Sequence, residues 1–330
     1  MKAKRLDREG LIEGIRRFLK GEGHLLLGFF KVGDRYFHKF FKGDLDGLSL
    51  SNPLFSVNGA VYAGRVFSKE FRILLILRPC EVRAYVELSK LMQVNRDAFF
   101  AVSVDCFGTS SLRTATDLKE AQALPRQDRT RWACTVCKDR EGLFGDCGIR
   151  VDGGGGLWLV PFTQKGEELF ELFASEVQEL PPELAKPREV EYVPFETDLD
   201  AFGRDLEPCT LCMNCRDMCP LCFCVDCLFN GQEYMPKGDA LLNRVVRKGG
   251  EVMPSAKMFY HLVRIYHVSQ SCVGCGACEE ACPQGIPLTK YFKGVSERIQ
   301  HLFSYVPGRS FEEPLPFTTF EEDELAGAED

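Results

Sequence analysis

Two cysteine runs constrain this chain more than any other feature of its sequence. Cys209, Cys212, Cys215 and Cys219 follow a C-x2-C-x2-C-x3-C-P spacing closed by Pro220. Cys272, Cys275, Cys278 and Cys282 repeat it, closed by Pro283. In a run of this kind three thiolates hold one [4Fe–4S] cluster and the fourth reaches across to the other. The expected pairing is Cys209, Cys212, Cys215 and Cys282 on one cluster, and Cys272, Cys275, Cys278 and Cys219 on the second. Two-residue gaps let a looped backbone direct successive sulfurs at neighbouring corners of a cube. Gly274 and Gly276 let the backbone approach without a Cβ in the way, and the two prolines end the local turn. Zinc favours paired C-x2-C hooks over two four-cysteine runs ending in Pro, so a zinc-stabilised structural protein is the weaker reading.

Composition narrows the class. A chain of 330 residues, 45% hydrophobic and with 26 Phe, is long enough for two packed domains or three small ones. A net charge of −7 argues against nucleic acid as a partner, since phosphate binding needs clustered Lys and Arg. Sixteen cysteines would suggest a disulfide scaffold only in a much shorter secreted chain. The first residues, MKAKRLDREGLIEGIRRF, are charged throughout and lack an apolar leader core. No stretch reaches the ~18–20 apolar residues of a membrane span. The expectation is a soluble protein of a reducing, anaerobic cytoplasm.

Upstream of the runs, apolar spacing predicts a helix over Leu6 to Lys20. Two strands, His24 to Lys31 and Arg35 to Phe41, should form a hairpin around Val32, Gly33 and Asp34. His24 and His38 read as structural. FRILLIL (71–77) is a continuous apolar run, as expected of a strand buried on both faces. A helical EVRAYVELSKL (81–91) and a second apolar run, AFFAVSV (98–104), follow. Strand, helix and strand make a βαβ unit with parallel strands, whose ligands lie beyond the strands' carboxyl ends. Cys80 and Cys106 both fall there, and we expect them to share a site. The polar stretch Ser110 to Arg131 is read as a surface segment with a short helix, Gly153 to Gly156 as a hairpin tip, and Lys165 to Val177 as an amphipathic helix. Pro-rich PPELAKPREVEYVP (181–194) is the candidate linker. Helices are expected at Ser255 to His267 and from Ile286 to Tyr305. The acidic tail from Pro307 is expected to dock on a partner or to stay mobile.

Eight cysteines remain outside the two runs. Cys134 and Cys137 form a C-x2-C hook that suits zinc, a redox disulfide or a cluster, with Cys147 downstream. Cys222, Cys224 and Cys227 follow the first run. A third [4Fe–4S] cluster needs four ligands, and two sets compete. One is Cys80, Cys106, Cys134 and Cys137; the other combines Cys222, Cys224 and Cys227 with one upstream cysteine. Lys138 and Arg78 are candidates to steady an anionic cofactor, with surface solvation as the plainer role of each.

The upstream half resembles the beta subunits of deazaflavin-reducing hydrogenases and formate dehydrogenases. The features that carry this are Pro79-Cys80-Glu81 after a strand, Cys106-Phe107-Gly108 after a strand, and Cys134-x2-Cys137-Lys138-Asp139 before a glycine-containing strand. The fused runs, the Cys222-Phe223-Cys224 insert and the tail SYVPGRSFEEPLPFTTFEEDEL look most like beta subunits of anaerobic formate dehydrogenases. The resemblance implies an FAD in the upstream domain near the third cluster, within reach of Cys80, Cys106 and Lys138, and an 8-hydroxy-5-deazaflavin or NAD(P) as hydride carrier. The cluster runs follow the flavin-type domain here, whereas many deazaflavin-using relatives carry them first. A catalytic dehydrogenase or hydrogenase subunit and further electron-transfer subunits are the implied partners. Alternatives are a flavin-free relay for a heterodisulfide-reductase-type complex and an anaerobic sulfite-reductase-type subunit.

The expected architecture is an α/β flavin-type domain with a partly parallel sheet (1–180) and a linker (181–198). A ferredoxin-like α+β domain with two clusters and helical additions (199–306) and an acidic tail (307–330) complete it.

Overall fold

The computed structural model describes residues 1–33, 35–55, 57–66, 70–111, 130–186, 198–231, 238–249, 256–320 and 322. Its strands in chain order are β1 (Lys2–Leu6), β2 (His24–Val32), β3 (Arg35–Phe41), β4 (Leu48–Ser49), β5 (Leu54–Phe55) and β6 (Arg72–Leu77). Then come β7 (Phe99–Val104), β8 (Ser110–Ser111), β9 (Cys147–Val151), β10 (Leu157–Pro161) and β11 (Val177–Glu179). Among the described residues, nine form one mixed sheet in the order β11-β1-β10-β9-β7-β6-β2-β3, with β4 against β2. The centre is parallel: β2 pairs with β6, β6 with β7 and β7 with β9. Antiparallel pairs flank it on both sides, including the expected β2–β3 hairpin and the β9–β10 hairpin that turns at the glycine run.

The buried strand β6 explains the layering. Ile73, Leu75 and Leu77 point to one apolar cluster and Leu74 and Ile76 to another, because side chains alternate along a strand. The second cluster is covered by helix Arg8–Leu19 through Leu11, Ile15 and Phe18. The first is covered by helix Pro79–Lys90 and continues without a break into Leu206, Cys215, Tyr260, Ile265, Cys282 and Tyr291. Pro79 sits at the first helical position, where its missing N–H costs nothing. Residues Glu81 to Leu88 of this helix are all buried, so one side meets the sheet and the other meets the cysteine-bearing segments. A helix apolar on one stripe only could not occupy that place. Its polar residues are paired instead: Glu87 accepts from Tyr305 Oη at 2.6 Å and from the Gly308 N–H at 2.8 Å, and Arg83 pairs with Asp139.

Several expectations change. The helix read over Lys165 to Val177 is shorter, Gln164–Phe170. Phe173 leaves it to pack against Gly14, and the chain runs on to pair with β1 as the edge strand β11. The start of the Pro-rich linker is docked, because Leu180 and Leu184 are buried beside Trp158 and Val160. The rest of it, 187–197, lies outside the described residues, as does the short helix expected within 112–129. The tail does not await a partner over its first part: Arg83 Nε donates to the Pro307 carbonyl at 2.7 Å, and the Phe311 ring packs on Tyr85 and under Arg96. Residues 321 and 323–330 lie outside the described residues. Among the described residues no helix is long and apolar enough to cross a membrane.

Gly308 fixes that docking. Its φ of +76° is a left-handed conformation, and a Cβ there would stand 2.4 Å from Arg83 Cα. Gly308→Ala should therefore destabilise the protein by more than about 1 kcal/mol. Thermal melting checks this; a melting temperature equal to that of the parent would show that the tail does not seat on the helix.

Candidate metal centres

The two runs adopt the same backbone although their residues differ. Leu211 and Met213 take φ of +53° and +63°, and the matching positions, Gly274 and Gly276, take +65° and +69°. A left-handed conformation costs a non-glycine residue about 1–2 kcal/mol, so the first run accepts strain that the second avoids. The geometry turns backbone N–H groups toward sulfur. The Leu211 N–H donates to Cys209 Sγ at 3.4 Å, and the Gly274 N–H does the same to Cys272. The Gly108 N–H repeats the arrangement on Cys106, outside either run.

Three groups of thiols result. Cys209, Cys212, Cys215 and Cys282 line one cavity, so the last cysteine of the second run stands with the first three of the first. Cys219 lies within electrostatic reach of Cys278, and Cys278 of Cys272 and Cys275. The short helices Asn214–Asp217 and Ala277–Glu280 pack together and hold this crossing. Cys80, Cys106, Cys134 and Cys137 line a third cavity, closed by Gly274 and Cys275. Cys80 occupies the second position of helix Pro79–Lys90 and Cys106 follows β7, so both stand at the carboxyl edge of adjacent parallel strands. Cys134 accepts from or donates to Thr109 Oγ1 at 3.2 Å. Among the described residues no three His, Cys, Asp or Glu side chains converge on one point as a single metal ion requires. The thiols stand around spaces instead.

Burial dominates the electrostatics of most of the thiols; an exception is Cys222, which its hydrogen bond with Cys219 and then the Arg264 guanidinium hold down to about 6. Burial pushes Cys80 and Cys278 well above the ordinary thiol value, Cys106 up to about 12, and raises Cys137, Cys209, Cys215 and Cys272. A buried thiolate is costly without a partner, and a bound metal supplies that partner by displacing the proton. Next to Cys80, burial opposes ionisation of Glu81. The Arg78 guanidinium and then His38 outweigh it, and hold the carboxyl down to about 2. His38 Nε2 lies 2.8 Å from Glu81 Oε1, so the structural reading of this histidine stands. His24 likewise bonds a backbone carbonyl, that of Phe18.

Arg78 corrects the expectation of a solvated side chain. It is buried, and it donates to the carbonyls of Asn52 and Leu54 at 3.0 and 2.7 Å. Lys138 is about half exposed, 3.8 Å from Glu297, and does not line the third cavity. Cys222, Cys224 and Cys227 do not line it either. Cys222 lies by Cys219 and Arg264, Cys224 is exposed, and Cys227 is beside Arg216. Cys147 is fully buried and donates to the Gly166 carbonyl at 3.2 Å. A wider cleft of about 220 Å³ opens over Cys106, between Tyr36, Asn52, Pro53 and Phe107, and shares Arg78, Cys106 and Gly108 with the third cavity.

Residues that no motif marks join these groups. Arg131 is buried; it pairs with Glu280 at 2.9 Å and donates to the carbonyls of Cys275 and Gly276 at 3.2 and 2.8 Å. Lys293 donates to the Val136 carbonyl at 2.7 Å and pairs with Glu297 at 3.3 Å. On helix Lys257–Val268, Tyr260, His261 and Arg264 all face the first cavity's sulfurs. Their spacing of i, i+1 and i+4 was legible only as helix periodicity. Gly276 is wedged between two of these centres, where a Cβ would stand 2.6 Å from Ala133 Cβ and 2.7 Å from Arg131 Nη2. Gly276→Ala should cost at least the ~1–2 kcal/mol of its left-handed backbone. Denaturant titration would detect this, and an unchanged midpoint would remove the claim.

Residues 205–286 match the family model of the 4Fe-4S dicluster domain. The chain is 25% identical over 321 residues to the F420-dependent formate dehydrogenase subunit beta of Methanocaldococcus jannaschii, covering 78% of this chain and 81% of that one. It is 24% identical over 308 residues to the F420-dependent formate dehydrogenase 1 subunit beta of Methanococcus maripaludis, covering 75% and 76%. A solved structure of the F420-reducing [NiFe] hydrogenase complex from Methanosarcina barkeri aligns with 52% of this chain and 76% of that one, at a TM-score of 0.39 and 15% identity. Over about three quarters of its length, then, the chain is similar to beta subunits of F420-dependent formate dehydrogenases, and it carries a 4Fe-4S dicluster domain within its last 130 or so residues.

Proposed function

We infer that this chain is the iron–sulfur beta subunit of an oxidoreductase complex, of formate dehydrogenase or hydrogenase type, and that it holds three [4Fe–4S] clusters in series. The observation that carries this reading is the order of the thiol groups. Cys275 closes the cavity of Cys80, Cys106, Cys134 and Cys137, and Cys278 lies within reach of Cys215. Each centre is thus next to the following one, and the last reaches the surface at exposed Cys212. Four thiols per centre match the Cys₄ ligation of a cubane, which supplies one-electron transfer when bound.

The residues present fit such groups. Backbone N–H groups at Leu211, Gly274 and Gly108 point at sulfur, and buried Arg264 meets Cys215 Sγ. The chain's own work is to space the centres, exclude water and set their charge environment. A flavin is a further part of the proposal. What supports it is the cleft over Cys106, where an entering ring would lie beside the upstream centre. Its volume of about 220 Å³ is below the ~300 Å³ of a site enclosing a whole ligand, so the fit is to a ring and not to FAD entire. The domain limits 1–180, 199–306 and 307–330 belong to this reading, as does a catalytic partner subunit that acts on the substrate.

The test is cofactor analysis of anaerobically purified protein. The reading expects about twelve iron atoms with matching sulfide per chain, no zinc, and flavin in the acid extract. About eight iron atoms would remove the upstream centre. Full iron without flavin would reduce the chain to a relay.

A further inference from the structure

Each junction between neighbouring centres contains a buried cation, and the two junctions differ in how that charge is balanced. At the upstream junction Lys293 is paired with Glu297, and Arg131 with Glu280. At the downstream junction Arg264 is buried, and its partners are Cys215 Sγ at 3.0 Å, the Cys215 carbonyl at 3.0 Å and Cys222 Sγ at 3.7 Å. Its guanidinium also lies over the Tyr260 and Phe292 rings. Among the described residues no carboxylate pairs with it. From the same helix, Tyr260 Oη lies 3.7 Å from Cys215 Sγ and His261 Nε2 lies 3.4 Å from Cys209 Sγ.

We propose that Arg264, with His261 and Tyr260, makes the Cys209–Cys212–Cys215–Cys282 centre the electron sink of the chain by raising its reduction potential above those of the other two. This rests on the three-centre reading above. Adding an electron to a cubane adds negative charge. A buried cation whose partners are sulfurs and not a carboxylate, together with hydrogen bonds to the sulfurs, favours the reduced form, and a low dielectric enlarges the effect. Cations neutralised by Glu297 and Glu280 do so far less, and Arg264, which also lies within electrostatic reach of Cys219 and Cys278, gives its 3.0 Å hydrogen bonds to Cys215 of the downstream centre. The residues between the two runs, longer than cysteine ligation alone requires, thereby acquire a role: they supply helix Lys257–Val268. Arg264, His261 and Tyr260 are positioning residues, acting through cysteine sulfur. Electrons entering upstream would collect at the centre whose Cys212 faces solvent, where a partner can take them.

The experiment is a potentiometric titration of the full-length, cluster-loaded chain followed by electron paramagnetic resonance. The variants are Arg264→Met, Arg264→Lys and His261→Phe, and Cys212→Ser assigns the signal. The highest-potential signal of the parent should be the one altered by Cys212→Ser. In Arg264→Met its reduction equilibrium should fall at least tenfold, about 59 mV for one electron, while the signal lost in Cys134→Ser stays in place. Arg264→Lys should restore most of the fall. Should Arg264→Met lose iron, His261→Phe must still lower the same signal, by a smaller factor. Potentials unchanged in variants that retain their iron would overturn the inference. A parent chain without the cubanes would instead overturn the functional reading beneath it.

Discussion

Cys134→Ser should remove about four of roughly twelve iron atoms per chain and leave about eight. The four-thiol cavity at the sheet's carboxyl edge draws its members from three places. Cys80 heads a helix, Cys106 follows β7, and Cys134 lies in a short helical turn, Trp132–Thr135, with Cys137 just beyond it. Losing one of four ligands leaves three buried thiols whose ionisation burial already opposes, as the raised Cys80, Cys106 and Cys137 show. Cys147→Ser is the matched control. That sulfur is buried too, but it contacts the Gly166 carbonyl and lines none of the thiol cavities, so iron should stay at the parent level. Iron and sulfide assays on both variants check the pair. Equal iron loss from both, or from neither, would mean that the cavity holds no cluster.

Arg131→Met should cost about 3–5 kcal/mol, the range for removing one partner of a buried ion pair. Arg131 and Glu280 are nearly inaccessible. Without the guanidinium, Glu280 keeps Ser111, while the Cys275 and Gly276 carbonyls lose their side-chain donor. Because those carbonyls belong to the second cysteine run and Arg131 precedes the Cys134 hook, the loss falls on the seam between two centres. Equilibrium unfolding in urea measures the cost. A destabilisation below about 1 kcal/mol would show the pair to be solvated, as surface ion pairs are.

Much of this was legible in the sequence, and the reasons differ by element. The βαβ unit around Phe71 to Val104 was readable because strands buried on both faces must be apolar throughout. The cysteine spacings were readable because ligand geometry dictates them. β1 was not, since its five residues include three basic ones and only Ala3 and Leu6 are apolar and buried. Burial of Arg78 was missed because a cation at a helix start ordinarily faces water, and two of its partners, the Asn52 and Leu54 carbonyls, are set by tertiary folding, whereas Glu81 is a local partner three residues on. Which of the extra cysteines share a cavity also needed the fold. Nothing in the sequence near Cys80 or Cys134 states that they line one cavity, or that Cys222, Cys224 and Cys227 do not. Arg264 carried no signal beyond its place in an apolar helix.

Helix Pro79–Lys90 has a wall on either side and almost no face to water. Neither half of the chain can then be exchanged for a foreign module without baring Tyr85, Val86 or Leu88. Variation that respects this seam must accumulate at the rim, in the glycine tip after β9 or the surface beside Cys224. The joint itself would have to change on both sides at once.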